Sequence, residues 1–286
     1  MRSRWQQIFV LTAVSIGLGA QLASAGNREP GCGGRGRDFK DDKRLSIVGL
    51  TDDQRLVRFG ECNPGRTKNA GVITGLVGDT TIVGIDFRVQ NGKLYGVGDA
   101  GGIYIIDPAT AAATLDSQLT VALSGTTFGV DFNPAADRLR VVSDTGQNLR
   151  HDLNTDTTAN DTALAYVPAA TATIAGAGYT NNDLDASTAT TLFDLDTGLD
   201  QVAVQSPANS GTLAATGKLG LDVDAGAGFD VYTSLRNGVA VGNRAFAVLS
   251  AAGVDGFYRV SLLTGKATLI GTFDVPVVDI AIPLDQ

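Results

Sequence analysis

The 286-residue chain holds one histidine, one tryptophan, one methionine and two cysteines, and of its 30 acidic residues only Glu29 and Glu61 are glutamate. Each scarcity removes a class of chemistry. A single histidine, His151, cannot supply a metal centre built of several histidines in one chain. A Ser-His-Asp or Cys-His mechanism would rest on that one residue, and no Gly-x-Ser-x-Gly elbow accompanies it. No Gly-x-x-x-x-Gly-Lys-Ser/Thr phosphate loop occurs. Trp5 and Met1 lie in the first five residues, so aromatic platforms further along are limited to Tyr and Phe.

After residue 25 no apolar run is long enough to span a bilayer. Before it, Arg2 and Arg4 precede an apolar stretch from Ile8 to Leu22 that ends in Ala23-Ser24-Ala25, the pattern of a secretory signal peptide. Cys32 lacks the Leu-x-Gly-Cys pattern of a lipid-modified start. The expected organisation is a leader over 1–25, a Gly-rich charged segment over 26–43 and one domain over 44–286. Its expected location is the periplasm or the extracellular space. There Cys32 and Cys62 are expected to pair as a disulfide.

Without the leader the chain has 20 basic and 30 acidic residues, a net charge of −10, which argues against a nucleic-acid partner. Nearly all of the acid is aspartate, which disfavours helix interiors and favours turns. With 36 glycines and frequent Thr and Val, the composition points to short strands joined by tight turns.

Self-comparison finds a unit of about 45 residues, the length of a four-stranded propeller blade. Its first element recurs as Gly84-Ile85-Asp86-Phe87, Gly129-Val130-Asp131-Phe132, Gly176-Ala177-Gly178-Tyr179, Gly220-Leu221-Asp222-Val223 and Val277-Val278-Asp279-Ile280. Third strands are expected to end in the turns after Ile106, His151, Phe193 and Val260, so the histidine occupies a position filled elsewhere by apolar residues and is read as structural. Asn237-Gly238 and the following Val239 to Leu249 read as an inserted extension of the second and third strands of the last full repeat. Arg44 to Leu76 contains three strands and lacks a first, and Val275 to Leu284 supplies one. The expected fold is therefore all-β: a five-bladed β-propeller of four-stranded antiparallel blades, closed by pairing of the C-terminal strand with the N-terminal blade.

From Leu45 to Leu284 the sequence resembles the bacterial family known as domain of unknown function 4394 (DUF4394), most specifically over Gly129 to Ser143 and in the Val48-Gly49-Leu50-Thr51-Asp52-Asp53 opening. That resemblance implies an exported, propeller-like domain and brings no catalytic residues with it.

The chemistry left to weigh is the row of inner-strand aspartates Asp86, Asp131, Asp222 and Asp279. Lining a central channel, they could hold Ca²⁺, a hard cation that favours oxygen ligands. The preferred reading makes each one a latch that accepts backbone amides of the neighbouring blade. Asp194 to Asp200 spaces carboxylates as a calcium loop does, yet lacks the Gly at position six and the Glu at position twelve, and reads as a turn. Propeller glycosidases need two carboxylates at the channel mouth, and the two glutamates here lie near the N-terminus. The expected function is a non-enzymatic, monomeric binding or scaffold module, without cofactor, for a glycan, small ligand or protein. The alternative is a calcium-assisted hydrolase or lactonase-like enzyme using the inner-strand aspartates.

Overall fold

The computed structural model describes Cys32 and residues 44–168, 172–185 and 187–284. The expected leader, and the segment 26–43 apart from Cys32, lie outside the described residues. Among the described residues the chain forms strands and one 3-10 turn at Ala208–Ser210, and no helix is long and apolar enough to cross a membrane. The chain opens with β1 (Ser46–Thr51), β2 (Arg55–Gly60) and β3 (Asn63–Val72). The first full blade is β4 (Ile82–Phe87), β5 (Leu94–Gly98), β6 (Gly102–Ile106) and β7 (Ala113–Gln118). The second is β8 (Phe128–Asn133), β9 (Arg138–Ser143), β10 (Asn148–Asp152) and β11 (Thr157–Asn160). After β12 (Ala165–Tyr166) comes the third, β13 (Ile174–Tyr179), β14 (Leu192–Asp196), β15 (Gln201–Gln205) and β16 (Thr212–Lys218). The fourth is β17 (Ala227–Arg236), β18 (Val239–Ala251), β19 (Val254–Val260) and β20 (Ala267–Thr272).

The last strand, β21 (Val277–Ala281), pairs antiparallel with β1, setting Val48 opposite Ala281 and Leu50 opposite Asp279. It supplies the inner strand that the N-terminal three lack, so a fifth blade of order β21-β1-β2-β3 closes the ring and removes the open edges that a linear sheet array would expose. Inner strands β21, β4, β8, β13 and β17 pack on one another around the axis. Cys32 and Cys62 are joined by a disulfide, which ties the N-terminal segment to the turn between β2 and β3.

Each blade is covered on both faces by its neighbours. Strands near the axis are therefore buried without alternation, as in β5 and β13, whereas the outer β11 and β20 are largely exposed. The apolar core divides into five clusters, one at each blade junction. That between the fourth and closing blades is the most aromatic: Phe59 and Phe257 meet edge-on at 5.2 Å, and Phe246 stacks on Phe257 at 5.3 Å. Between the second and third blades the fully buried Arg140 is set beside the apolar cluster. Its guanidinium bonds Asn148 (2.7 Å) and Asp161 (2.8 Å) on its own side and Asn209 (2.7 Å) across the junction.

The structure departs from the sequence expectation in four places. Gly220-Leu221-Asp222-Val223 lies in a connection, and the inner strand of the fourth blade is β17, whose Gly228-Phe229-Asp230-Val231 repeats the same pattern eight residues later. The long hairpin is formed by the first and second strands of that blade: Asn237 and Gly238, both at positive φ (54° and 79°), make the two-residue turn between β17 and β18. The Asp194 to Gly198 segment closes β14, a second strand rather than a third. The connection between β13 and β14 therefore runs from Thr180 to Thr191, far longer than the equivalent turns of the first two blades. The third blade also carries a fifth strand, β12, paired parallel to β16. All four differences fall in the third and fourth blades, where the repeat is least regular and similarity at one residue's spacing misleads.

Candidate functional site

The Gly-x-Asp pattern of the inner strands has a joint physical cause. A Cβ on Gly84 would stand 2.4 Å from Val130 Cγ2, and one on Gly228 would stand 2.5 Å from the Asp279 Cα, so only glycine lets adjacent inner strands approach this closely. Two residues further along, the aspartate then reaches the backbone of the next blade. Asp279 accepts the Ile85 amide at 2.8 Å, Asp86 the Phe132 amide at 2.8 Å, Asp131 the Tyr179 amide, and Asp230 the Ile282 amide at 2.6 Å. Four of the five junctions are thus latched by one carboxylate each.

The fifth junction, between the third and fourth blades, has Gly178 where the others have aspartate. There the long β13–β14 connection takes over: the Asn182 side chain donates to Val231 O (3.0 Å) and its amide to Thr233 Oγ1 (2.9 Å).

The structure brings together two of the four aspartates singled out in the sequence, Asp86 and Asp131, with Asp230, which the sequence reading missed. All three are buried, and carboxylate oxygens from each lie within 4.8 Å of one another. Asp279 is half-buried beside them and close enough for its charge to act on both Asp86 and Asp131. Asp222, in its connection, is exposed and outside the group. The signal for Asp230 was present: counting from Gly176 to Gly228 and on to Val277 gives spacings of 52 and 49, more even than the 44 and 57 obtained through Gly220.

Burial disfavours ionisation of all four acids, and repulsion from neighbouring carboxylates adds to it at Asp86, Asp131 and Asp279. Asp86 is raised well above the ordinary carboxylate range by desolvation and then by the charge of Asp230, and Asp131 by desolvation and then by Asp86. Desolvation lifts Asp230 to about 7 and Asp279 to about 8, in each case against the backbone amides that favour the charged form. One oxygen of the cluster, Asp131 Oδ1, is buried with no hydrogen-bond partner.

A second feature lies on the face where the inner strands end. The β13–β14 connection and the β17–β18 hairpin, the two largest departures from the repeat, pack together there through Asn181 and Asn243 and through Asp183, which accepts the Ala240 amide at 2.7 Å. Beside them a cleft of about 480 Å³ opens between the third and fourth blades, lined by Thr180, Phe193, Asn243, Arg244, Arg259 and Leu263 among others. Glu61 of the closing blade holds Arg244 at 3.1 Å, and Tyr232 stacks under the same guanidinium at 5.1 Å. Arg259 stands further from Glu61, at 4.0 Å, with 41% of its side chain exposed. Neither arginine is periodic in the sequence, so no repeat-based argument could find them.

The remaining candidates are structural. His151 is fully buried, with Nε2 2.7 Å from Ser117 Oγ and Nδ1 2.9 Å from Thr158 Oγ1, and desolvation lowers its pKa. Asp156 accepts from Ser117 rather than orienting the ring through Nδ1, so the three do not form a charge-relay order. In the Asp194–Asp200 segment, Asp196 accepts from Tyr166 Oη (2.8 Å) and Leu199 N (3.1 Å), and Asp200 from Val223 N (3.0 Å), all within the fold. Glu61 is committed to Arg244 and Glu29 lies outside the described residues.

Residues 55–281 match the model of a family described as a domain of unknown function, DUF4394. No curated protein matches the chain. Among solved structures, it is similar to a structural genomics protein of unknown function from Bacteroides thetaiotaomicron VPI-5482, at 11% identity and a TM-score of 0.47, covering 80% of this chain and 56% of that one. It is also similar to an auxiliary nutrient binding protein from Bacteroides ovatus ATCC 8483, at 13% identity and a TM-score of 0.38, covering 77% and 57%. The chain thus spans a little over half the length of both.

Proposed function

The chain belongs to the DUF4394 family, and on that premise we propose that it is an exported, non-enzymatic binding module whose cleft between the third and fourth blades takes a small polar or acidic ligand such as a glycan segment. The observation that carries this reading is where the cleft lies: both interruptions of the repeat meet at its rim. A regular ring is a rigid frame, and loops that depart from such a frame are where binding residues concentrate. The volume falls within the ~300–1,000 Å³ of small-ligand sites. Asn243, Thr180 and Ser261 offer hydrogen bonds, Phe193 and Leu263 offer an apolar shelf against which a sugar ring can lie, and the half-exposed Arg259 at the rim, its guanidinium over Phe246 and 4.0 Å from Glu61 of the closing blade, brings a charge by turning toward the cleft.

Export is supported by the leader pattern over 1–25 and by the disulfide, which suits an oxidising compartment. The hydrolase reading loses support because Asp86, Asp131 and Asp279 already hold blades together as acceptors of backbone amides.

The test is a screen of neutral and uronate-containing oligosaccharides, followed by calorimetric titration of the best binder. Arg259→Ala is expected to weaken binding at least about tenfold, the cost of losing one charged hydrogen bond, with little change in melting temperature. Failure of every oligosaccharide to bind, or binding untouched by Arg259→Ala, overturns the cleft assignment. Turnover in an esterase, lactonase or glycosidase panel that Asp131→Asn abolishes would overturn the non-enzymatic one.

A further inference from the structure

We propose a second site, independent of the cleft: Asp86, Asp131 and Asp230 together hold one Ca²⁺ ion on the propeller axis, tying the first, second and fourth blades to a common centre. The argument begins with charge balance. Other carboxylates of the interior are compensated: Asp161 has Arg140 and Arg150, Glu61 has Arg244, the partly buried Asp137 has Arg88, the charge of Arg140 acts on Asp194, and Asp183 and Asp196 accept from the Ala240 amide and the Tyr166 hydroxyl. Among the described residues no lysine, arginine or histidine pairs with Asp86, Asp131 or Asp230, and the charges acting on Asp86 and Asp131 are all negative. Three desolvated carboxylates at this separation require either shared protons or a cation.

A second observation favours the cation. Asp131, only 2% exposed, keeps Oδ1 without any hydrogen-bond partner while its other oxygen is used by the Tyr179 amide. Asp194 also has bare buried oxygens, but the first charge acting on it is the positive one of Arg140, whereas the charges around Asp131 are all negative, a setting that a cation satisfies.

The donor set indicates which metal. It is all oxygen, since the one histidine is bonded to Ser117 and Thr158 and the two cysteines are in a disulfide, and an all-oxygen site selects a hard cation. A ligand span of up to 4.8 Å is bridged by bonds of ~2.4 Å, those of Ca²⁺, whereas Mg²⁺ at ~2.1 Å draws its ligands closer. The remaining coordination positions fall to water in the channel. Each ligand also keeps its latch to a neighbouring blade, Asp86 to Phe132 N, Asp131 to Tyr179 N and Asp230 to Ile282 N, so the ion would couple the blades through bonds already made.

The experiment uses the exported chain, stripped with EDTA and exchanged into calcium-free buffer. Equilibrium dialysis with metal analysis should find one Ca²⁺ per chain. Saturating Ca²⁺ should raise the melting temperature by about 5–10 °C, and the same concentration of Mg²⁺ by clearly less. Asp131→Asn should abolish both the stoichiometric calcium and the shift, while Asp222→Asn should keep both and Arg259→Ala should leave them intact. Absence of bound calcium and of any shift at about 10 mM Ca²⁺, above the range of extracellular sites, overturns the proposal on the unmutated protein alone. Calcium retained in Asp131→Asn, or lost in Asp222→Asn, overturns the location. Should Asp131→Asn not fold, Asp86→Asn is read by the same criteria. Because Arg259 and the oligosaccharide screen play no part in these readouts, failure here leaves the cleft reading standing, and the converse holds.

Discussion

Two arcs of the ring are built differently. From the fourth blade through the closing blade to the third, each junction is latched by an aspartate that crosses to the next blade's backbone, and in all but the closing blade, where Val277 stands in its place, a glycine two residues earlier allows the close approach. Between the third and fourth blades, Gly178 replaces the aspartate, and a long connection and a long hairpin hold the junction with Asn181, Asn182 and Asn243. The first arc spends its polar residues on closing the ring. The second, released from that pattern, exposes a cleft with Arg259 at its edge. Repetition marks what builds the ring, and the interruption marks where the surface is free to recognise something.

The sharpest way to break the regular arc is Gly228→Ala. Its Cβ would meet backbone, the Asp279 Cα at 2.5 Å, so the fourth and closing blades must part. A loss of about 3 kcal/mol or more in denaturant unfolding is expected. Gly226→Ala, with nothing within 4 Å, should be nearly silent.

Next in size is the latch itself. Asp279→Ala removes the acceptor of the Ile85 amide and should cost about 1–3 kcal/mol. Asp279→Asn keeps an acceptor and, below the folded pKa of about 8, replaces a largely uncharged carboxyl, so it should be milder than Ala and, in calcium-free protein, close to neutral. Equal losses for the two variants would mean that the carboxylate's charge matters more than its bond.

The pH dependence follows from the same carboxylates. Their folded pKa values are raised, so between about pH 4 and the folded values the folded state holds protons that the unfolded chain has released, and stability falls as pH rises. From pH 6.5 to 8, where Asp230 at about 7 and Asp279 at about 8 give up protons, calcium-free protein should lose several degrees of melting temperature. Buried His151, with its lowered pKa, acts in the opposite sense and only below about pH 6.5. A melting temperature that rises over this window would contradict the clustering of the four acids. The smallest effect on stability is expected in the irregular arc: replacing Asn237-Gly238 by Asp-Gly preserves the turn and should shift unfolding by less than about 0.5 kcal/mol.

The regular arc was largely legible in the sequence. Gly84 and Asp86, Gly129 and Asp131, and the displaced strand at Val277 follow from a period that repeats without interruption, and so does closure by the C-terminal strand. The third and fourth blades were not legible to the same degree. Their insertions allowed Asp222 to imitate an inner-strand aspartate while the true one, Asp230, stood eight residues on. Arg244, Arg259 and Glu61 meet from different blades with no shared spacing, so nothing local announces them.

What the sequence by itself determined is the number of blades, the closure and the acidic character of the inner strands, because alternation, turn chemistry and a 45-residue period are properties of the chain near each residue. Which carboxylates meet, which oxygen lacks a hydrogen bond and where the cleft opens were decided by the tertiary structure alone. Those features depend on distances of a few ångströms between residues far apart in the chain, such as Asp86 and Asp230, 144 positions apart, and only the closed ring fixes such distances.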